Sequence, residues 1–260
     1  MNIPSPGLGF WQIAKEDAKR VFIEGYEIGY RHFDTAIAYR NESEIGEAIK
    51  ELNLKREDYW LTSKIPAEIK NYEGAKKAID ESLERLGVEY LDLMLIHAPK
   101  PWALMFVPGP RFHKGNREVW KALVEAKQAG KIKNIGVSNF NVNDIKNIME
   151  YSDEPIFANQ IRLHVGYIWK EVIDFCHEKS IIVEAYSPLG VGKLMRDEKI
   201  AEIAAKNNVS PAKLCLKYAE SFGSIPLPRS TKADHMRDNF TYDFEIPAED
   251  KAILDKMSGL

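Results

Sequence analysis

Two cysteines, Cys176 and Cys215, are too few in 260 residues for a disulfide framework. Both fall in helix-like stretches, so buried apolar roles in a reducing compartment are expected for them. No apolar run approaches the ~20 residues of a membrane helix. The opening M-N-I-P-S-P-G has neither a charged nor an apolar leader region. A cytoplasmic protein with no membrane partner is expected. Neither charge dominates: 36 Lys and Arg against 39 Asp and Glu give a net charge of −3. With the basic residues spread along the chain, nucleic acid is not an expected partner. No G-x-G-x-x-G follows a strand, because G-L-G-F-W at 7–11 lacks the third glycine, and a Rossmann dinucleotide site is disfavoured. No metal-ligand cluster stands out, so no metal is expected.

What the chain has is alternation. Apolar strand-like runs occur at 7–11, 30–34, 59–64, 91–96, 132–137, 156–161, 181–186 and 224–227. Helix-like stretches with apolar residues three and four apart lie between them. Gly87 and Gly130 close two of these as C-terminal glycines, and Ser210-Pro211 opens another as N-cap and N1. Eight strands alternating with helices indicate a parallel α/β sheet, closed or doubly wound. The count and even spacing favour closure into a (β/α)8 TIM barrel. No linker interrupts it, so residues 1–260 are expected to form one domain. The longest irregular piece, 98–114, carries Trp102, Phe106 and Phe112 and is either a substrate wall or a packed structural loop.

Three of the strand-like runs end on an ionisable residue. G-Y-R-H-F-D ends at Asp34, Y-W-L-T-S-K at Lys64 and L-D-L-M-L-I-H at His97, with Tyr39 five residues past Asp34. Barrel chemistry is done at the carboxyl ends of strands, where these side chains would converge. A tyrosine titrating near ~10 is a weak acid at neutral pH. A lysine beside it favours the phenolate, and an aspartate holds the lysine in place. Such a tyrosine could protonate a carbonyl oxygen while hydride reaches the carbon, and a histidine could orient that oxygen. Taken singly, each has a duller reading: a surface lysine, a satisfied structural histidine, a turn aspartate.

Longer strings resemble the aldo-keto reductases. These are G-Y-R-H-F-D-T-A-I-A-Y-R-N-E-S-E-I-G (29–46), L-D-L-M-L-I-H (91–97), G-K-I-K-N-I-G-V-S-N-F (130–140), E-A-Y-S-P-L-G (184–190) and I-P-L-P-R-S-T-K-A-D-H-M-R-D-N (225–239). They occur in the family's order over nearly the whole chain. The resemblance implies a barrel that reduces carbonyls with a nicotinamide cofactor. Tyr39 would be the proton donor, Lys64 and Asp34 its tuning pair, and His97 the orienting group.

By the same resemblance the cofactor lies extended across the barrel mouth. Phe10, Trp11 and Asp34 would border it, Tyr186 would stack on the nicotinamide, and Ser138, Asn139 and Gln160 would bond its carboxamide. Ser187, Pro188, Leu189 and Gly190 would cover the pyrophosphate. Leu227, Pro228, Arg229, Ser230 and Thr231 would hold the adenosine phosphate, with His235, Asp238 and Asn239 around the adenine end. Arg229 stands where lysine is usual and His235 where arginine is frequent. Histidine is mostly uncharged at neutral pH, so NADPH is expected, with NADH accepted.

Substrate would meet Trp11, Tyr39, His97 and Ala98. Ala98 replaces a common tryptophan, and with little chain after the amphipathic stretch 246–257 this suggests an open pocket for varied small carbonyls. Arg162 and Val165 stand where glutamate and proline are usual, and the N-terminal hairpin that by the resemblance plugs the barrel bottom is expected to be short or missing. The near-neutral surface gives no reason to exceed a monomer. A non-catalytic NADPH-binding sensor, channel-subunit-like or structural relative on the same barrel is the alternative.

Overall fold

The computed structural model describes residues 3–105, 107–109 and 111–260. Eight parallel strands run in sequence order around one sheet: β1 (Leu8–Gly9), β2 (His32–Asp34), β3 (Trp60–Ile65), β4 (Leu91–Ile96), β5 (Ile132–Ser138), β6 (Ala158–Arg162), β7 (Ile182–Tyr186) and β8 (Ser224–Leu227). The seam between β8 and β1 is held by Gly7 N–H to Pro226 O at 3.0 Å and Gly9 N–H to Pro228 O at 2.9 Å. Both prolines lack a donor, so their carbonyls carry the closure. The seam also needs Gly7. A Cβ there would lie 2.5 Å from Leu227 Cδ2 and 2.8 Å from His32 Nδ1.

Helices α1 (Lys15–Ile28), α2 (Glu42–Glu51), α3 (Tyr72–Leu86), α4 (His113–Gln128), α5 (Val142–Met149) and α6 (Lys170–Glu178) follow the first six strands. Two helices, α7 (Glu198–Lys206) and α8 (Pro211–Glu220), separate β7 from β8, and α9 (Ala233–Phe240) and α10 (Ala248–Met257) follow β8. The expected caps are present. Gly87 ends α3 in the left-handed region, and the Ser210 side chain accepts from Lys213 N–H at the start of α8. Cys176 and Cys215 are buried in α6 and α8, where burial pushes their thiols up to about 11 and about 12.

Several strands are shorter than their apolar runs because the run's edge belongs to the preceding turn. Gly29 and Tyr30 donate to Gly25 O and so finish α1 rather than start β2. Ile181 does the same for α6 by donating to Cys176 O. The run at 7–11 bends after Gly9, and Gln12 takes a φ of 58°.

Alternation along each strand builds the core. Leu61, Ile65, Met94, Ile96, Ile135, Val137, Ile161, Val183 and Ala185 face the helices. The opposite parity faces the barrel axis, and its bottom layer is Ile3 with Trp60, Leu93, Leu95 and Ala158. Higher up, the inward positions become polar: His32 then Asp34, Thr62 then Lys64, Gln160 then Arg162, Glu184 then Tyr186. Register sets them side by side, with Asp34 opposite Thr62, Ser138 opposite Gln160, Gln160 opposite Glu184 and Arg162 opposite Tyr186.

Candidate active site

Lys64 is fully buried, and its ammonium has three acceptors. These are Asp34 Oδ1 at 2.7 Å, Asp34 Oδ2 at 2.8 Å and the Thr35 carbonyl at 2.8 Å. The expected Asp34–Lys64 pairing is therefore complete. Tyr39 comes from the turn Ile37–Tyr39 after β2, and its ring centroid lies 5.0 Å from Lys64 Nζ. The His97 ring, one residue past β4, stands 5.6 Å from that of Tyr39 at 72°. Asp34, Tyr39, Lys64 and His97 thus form one cluster at the carboxyl end of the barrel.

The electrostatics differ from the simple expectation. Burial, helped by the Asp34 carboxylate, pushes the Tyr39 phenol well above 10. All three ammonium hydrogens of Lys64 go to Asp34 and Thr35, so none is donated to the phenol. Tyr39 is held as a neutral acid. Burial, with Lys64 and Lys70 nearby, lowers His97 well below 6.5, so its imidazole is neutral. Its Nδ1 is buried without a partner. A buried lone pair costs less there than a buried N–H, which leaves the hydrogen on Nε2.

The residues expected around a carboxamide also meet. Ser138 Oγ donates to Gln160 O at 2.9 Å, and Asn139 Nδ2 donates to Ser138 Oγ and to His97 O, each at 3.0 Å. Tyr186 donates its hydroxyl to Asn139 Oδ1 at 2.8 Å, which fixes its ring at the rim. Gln160 Nε2 donates to Asp34 Oδ1 at 2.7 Å and Glu184 Oε2 at 2.9 Å, leaving its carbonyl as acceptor for an amide N–H. This set of donors and acceptors fits a nicotinamide carboxamide. Asn139, Ser187 and Val191 all take positive φ, at 61°, 52° and 56°, a backbone strain concentrated at this rim.

Other expected contacts sit differently. The Phe10 ring is fully buried against Phe22 and Phe33, so its side chain has no surface for a ligand. Gly190 N–H donates to Ser187 O within its own loop, where Pro188 is buried and Leu189 half-buried. Leu227 and Pro228 form the barrel seam. Arg229 and His235 are exposed, Ser230 is buried, and the Thr231 carbonyl accepts from Arg20. Asp238 accepts from Ser210 Oγ and pairs with Lys213 at 3.4 Å, tying α9 to α8, and Asn239 is buried.

Ala98 has no exposed surface, and its carbonyl accepts from Lys70 Nζ at 2.7 Å. The aromatic beside His97 is Trp102, edge-on at 5.2 Å, from the loop after β4. Trp102 and Trp11 are both about two-fifths exposed and flank the mouth (41% and 43%). Phe112 is half-buried, and Phe106 lies outside the described residues.

Sequence reasoning missed a second polar layer beneath this cluster. Glu184 and His32 are both fully buried inside the barrel, with Glu184 Oε1 3.6 Å from His32 Nε2. His32 Nδ1 lies 3.2 Å from the Pro4 carbonyl and must donate to it, which makes Nε2 the acceptor. Burial lowers His32 to about 4 and raises Glu184 to about 7. A protonated Glu184 and a neutral His32 avoid burying a charge; the Thr62 hydroxyl lies 3.4 Å from His32 Nε2, while Glu184 Oε1 has no hydrogen-bond partner among the described residues. The available signal was spacing: each lies two residues before a rim residue, Asp34 or Tyr186. No group of metal ligands occurs among the described residues, and no helix among them is long and apolar enough to cross a membrane.

Comparison with known proteins identifies the family. The model of the Aldo/keto reductase family matches residues 5–258. A glycerol 2-dehydrogenase (NADP(+)) of Saccharomyces cerevisiae is 34% identical, over 99% of this chain and 88% of its own. A glyoxal reductase of Bacillus subtilis is 35% identical, over 100% and 90%. The crystal structure of an aldo/keto reductase from Brucella melitensis superposes with a TM-score of 0.88 at 36% identity, covering 98% of this chain and 94% of its own.

Proposed function

The chain belongs to the aldo-keto reductase family, and we propose that Tyr39, Lys64, Asp34 and His97 perform its carbonyl reduction with NADPH as the preferred cofactor. Reduction of carbonyls by a nicotinamide-dependent oxidoreductase follows from the family. What is proposed is the assignment of roles, the cofactor's phosphate and the substrate range.

The observation that carries the assignment is the buried Asp34–Lys64 pair, with the Tyr39 ring 5.0 Å from its ammonium. A structural ion pair needs no tyrosine beside it and no neutral imidazole 5.6 Å across from that ring. A reduced nicotinamide held by Ser138, Asn139 and Gln160 would supply the hydride to the carbonyl carbon. Tyr39 donates its phenolic proton to the carbonyl oxygen, and the phenolate left behind lies next to the Lys64 ammonium. Asp34 keeps that ammonium in place through two hydrogen bonds. His97 Nε2–H orients the oxygen before transfer. Ser138, Asn139 and Gln160 would hold the carboxamide, and the Tyr186 ring would cover the nicotinamide.

Arg229 offers a guanidinium for a 2′-phosphate, while His235 in place of a fixed cation supports tolerance of NADH. Trp11 and Trp102 at the mouth support small aldehydes and ketones of varied shape as substrates. Two free buried thiols suit a reducing cytoplasm, and the chain is proposed to act as a monomer.

The test follows oxidation of NADPH and of NADH across aldehydes, ketones and dicarbonyls, with Tyr39→Phe beside the wild type. Loss of the hydroxyl is expected to lower kcat by a factor of about 10² to 10⁴ while NADPH still binds. A Tyr39→Phe protein with undiminished turnover would remove Tyr39 as the acid. Cofactor binding without turnover on any carbonyl would favour a sensor or structural role.

A further inference from the structure

Arg162 has no part in the roles assigned above, yet it stands at the mouth of the same barrel. It is the last residue of β6, two positions above Gln160 in the inward row and opposite Tyr186 in register. Its Nε donates to His164 Nε2 at 3.0 Å, and its guanidinium carbon lies 4.8 Å from the centre of the Tyr167 ring. His164 is itself fixed, because its Nδ1 lies 2.7 Å from the Val165 carbonyl and donates to it. That leaves Nε2 as an acceptor and the ring uncharged. Burial also lowers His164 below its ordinary value.

The result is an oriented guanidinium whose partners are all neutral. Among the described residues no carboxylate pairs with Arg162, and its two terminal nitrogens make no hydrogen bond. The loop facing it is the tightly wound 187–192. A Cβ on Gly190 would come 3.8 Å from His164 Nδ1, which places that loop against the same cluster. Loops after the seventh and eighth strands of such barrels are frequent phosphate sites. An arginine fork with free terminal donors matches a phosphate or carboxylate oxygen pair.

We propose that Arg162 is the cation of an oxyanion site at the barrel mouth, held by His164 and Tyr167 to bind a phosphate or carboxylate group of a bound reactant. The inference rests on the reductase reading above for its two sources of such a group, the diphosphate of the dinucleotide and an acidic substituent on the carbonyl substrate.

The experiment compares wild type, Arg162→Gln and Arg162→Lys, each checked for an unchanged melting profile. Dissociation constants are measured for NADPH, NADH and inorganic pyrophosphate, and KM for succinic semialdehyde and its methyl ester. Losing a charge-assisted contact is worth about ten- to a hundredfold. If the diphosphate is the ligand, Kd for both dinucleotides and for pyrophosphate rises by that factor in Arg162→Gln. The dependence on salt becomes shallower, and Arg162→Lys recovers part of the loss. If a substrate acid is the ligand, dinucleotide binding stays and the KM of the acid rises far more than that of its ester. Folded variants with every constant within twofold of wild type would overturn the proposal and leave Arg162 as packing for the β6 exit. The pyrophosphate titration needs no turnover, so it reads this site even if the reductase assignment fails.

Discussion

The Glu184–His32 pair makes a prediction whose sign follows from its two shifts. His32 falls from its ordinary 6.5 to about 4 in the fold, because a charged imidazole cannot be solvated there. Between those values the unfolded chain binds a proton that the folded chain refuses. His32 alone therefore makes stability rise with pH across that window and lowers it at acid pH. Glu184 does the opposite. It moves from 4.5 to about 7, so between those values the folded chain keeps a proton the unfolded chain has lost. Its contribution falls as pH rises. At about 1.4 kcal/mol per tenfold, each slope amounts to about 3 kcal/mol over its window. The two nearly cancel between pH 4.5 and 6.5, so the wild-type barrel is flat there as far as this pair is concerned. Neither shift has the other residue as a cause, so removing one partner exposes the other's slope. Stability of Glu184→Gln is expected to rise by about 3 kcal/mol as pH goes from 4 to 6.5. His32→Gln is expected to lose a similar amount, about 3 kcal/mol, from pH 4.5 to 7. Urea unfolding at half-unit pH steps measures both. Variant curves running parallel to wild type would refute the reasoning, since they would mean that neither group titrates differently in the fold.

Three further outcomes are expected. Asp34→Asn leaves the Lys64 ammonium buried without its counter-charge, which costs about 3–5 kcal/mol and lowers the melting temperature by about 10 °C at 2–4 °C per kcal/mol. Replacing both partners at once, with Leu at 34 and Met at 64, should regain much of that stability in the same melt and none of the turnover. Gly136→Ala places a Cβ 2.5 Å from the Ala158 carbonyl and 2.8 Å from Leu95 Cδ2. Backbone cannot move aside at the β5–β6 pairing, so a cost of about 1–3 kcal/mol or more is expected, read as an earlier urea midpoint.

Much of this molecule was legible because its signals are local. Gly87 and Ser210 act within one turn of their helices, and the apolar runs locate all eight strands to within a few residues. The rim cluster was legible because strand ends converge in any parallel barrel. What escaped depends on where side chains go across the fold. The lowering effect expected of Lys64 on Tyr39 is outweighed in the fold by burial of the phenol and by the Asp34 carboxylate, which also takes two of the three ammonium hydrogens. Ala98 suggested a missing aromatic wall, but Trp102, four residues on in an irregular loop, supplies a ring against His97. Phe10 lies between Gly9 and the exposed Trp11, and only the bend after β1 decides that its ring enters the core.

Charge balance at the mouth shows why composition alone misleads about ligands. The chain carries −3 overall, which by itself argues against an anionic partner. Two acids inside the barrel are already spent. Asp34 is neutralised by Lys64, and Glu184 holds its proton up to about pH 7 because burial disfavours its charge. The cations are not spent in the same way. Arg162 has only neutral partners, Lys70 bonds a carbonyl, and Arg229 is exposed beside β8. Arg162 therefore keeps an unpaired positive charge at the mouth while the protein is negative overall, and partial burial strengthens its local field relative to the distant surface acids. A dinucleotide bound as proposed would meet the field of this residue. On this argument its affinity should fall with added salt despite the protein's net negative charge.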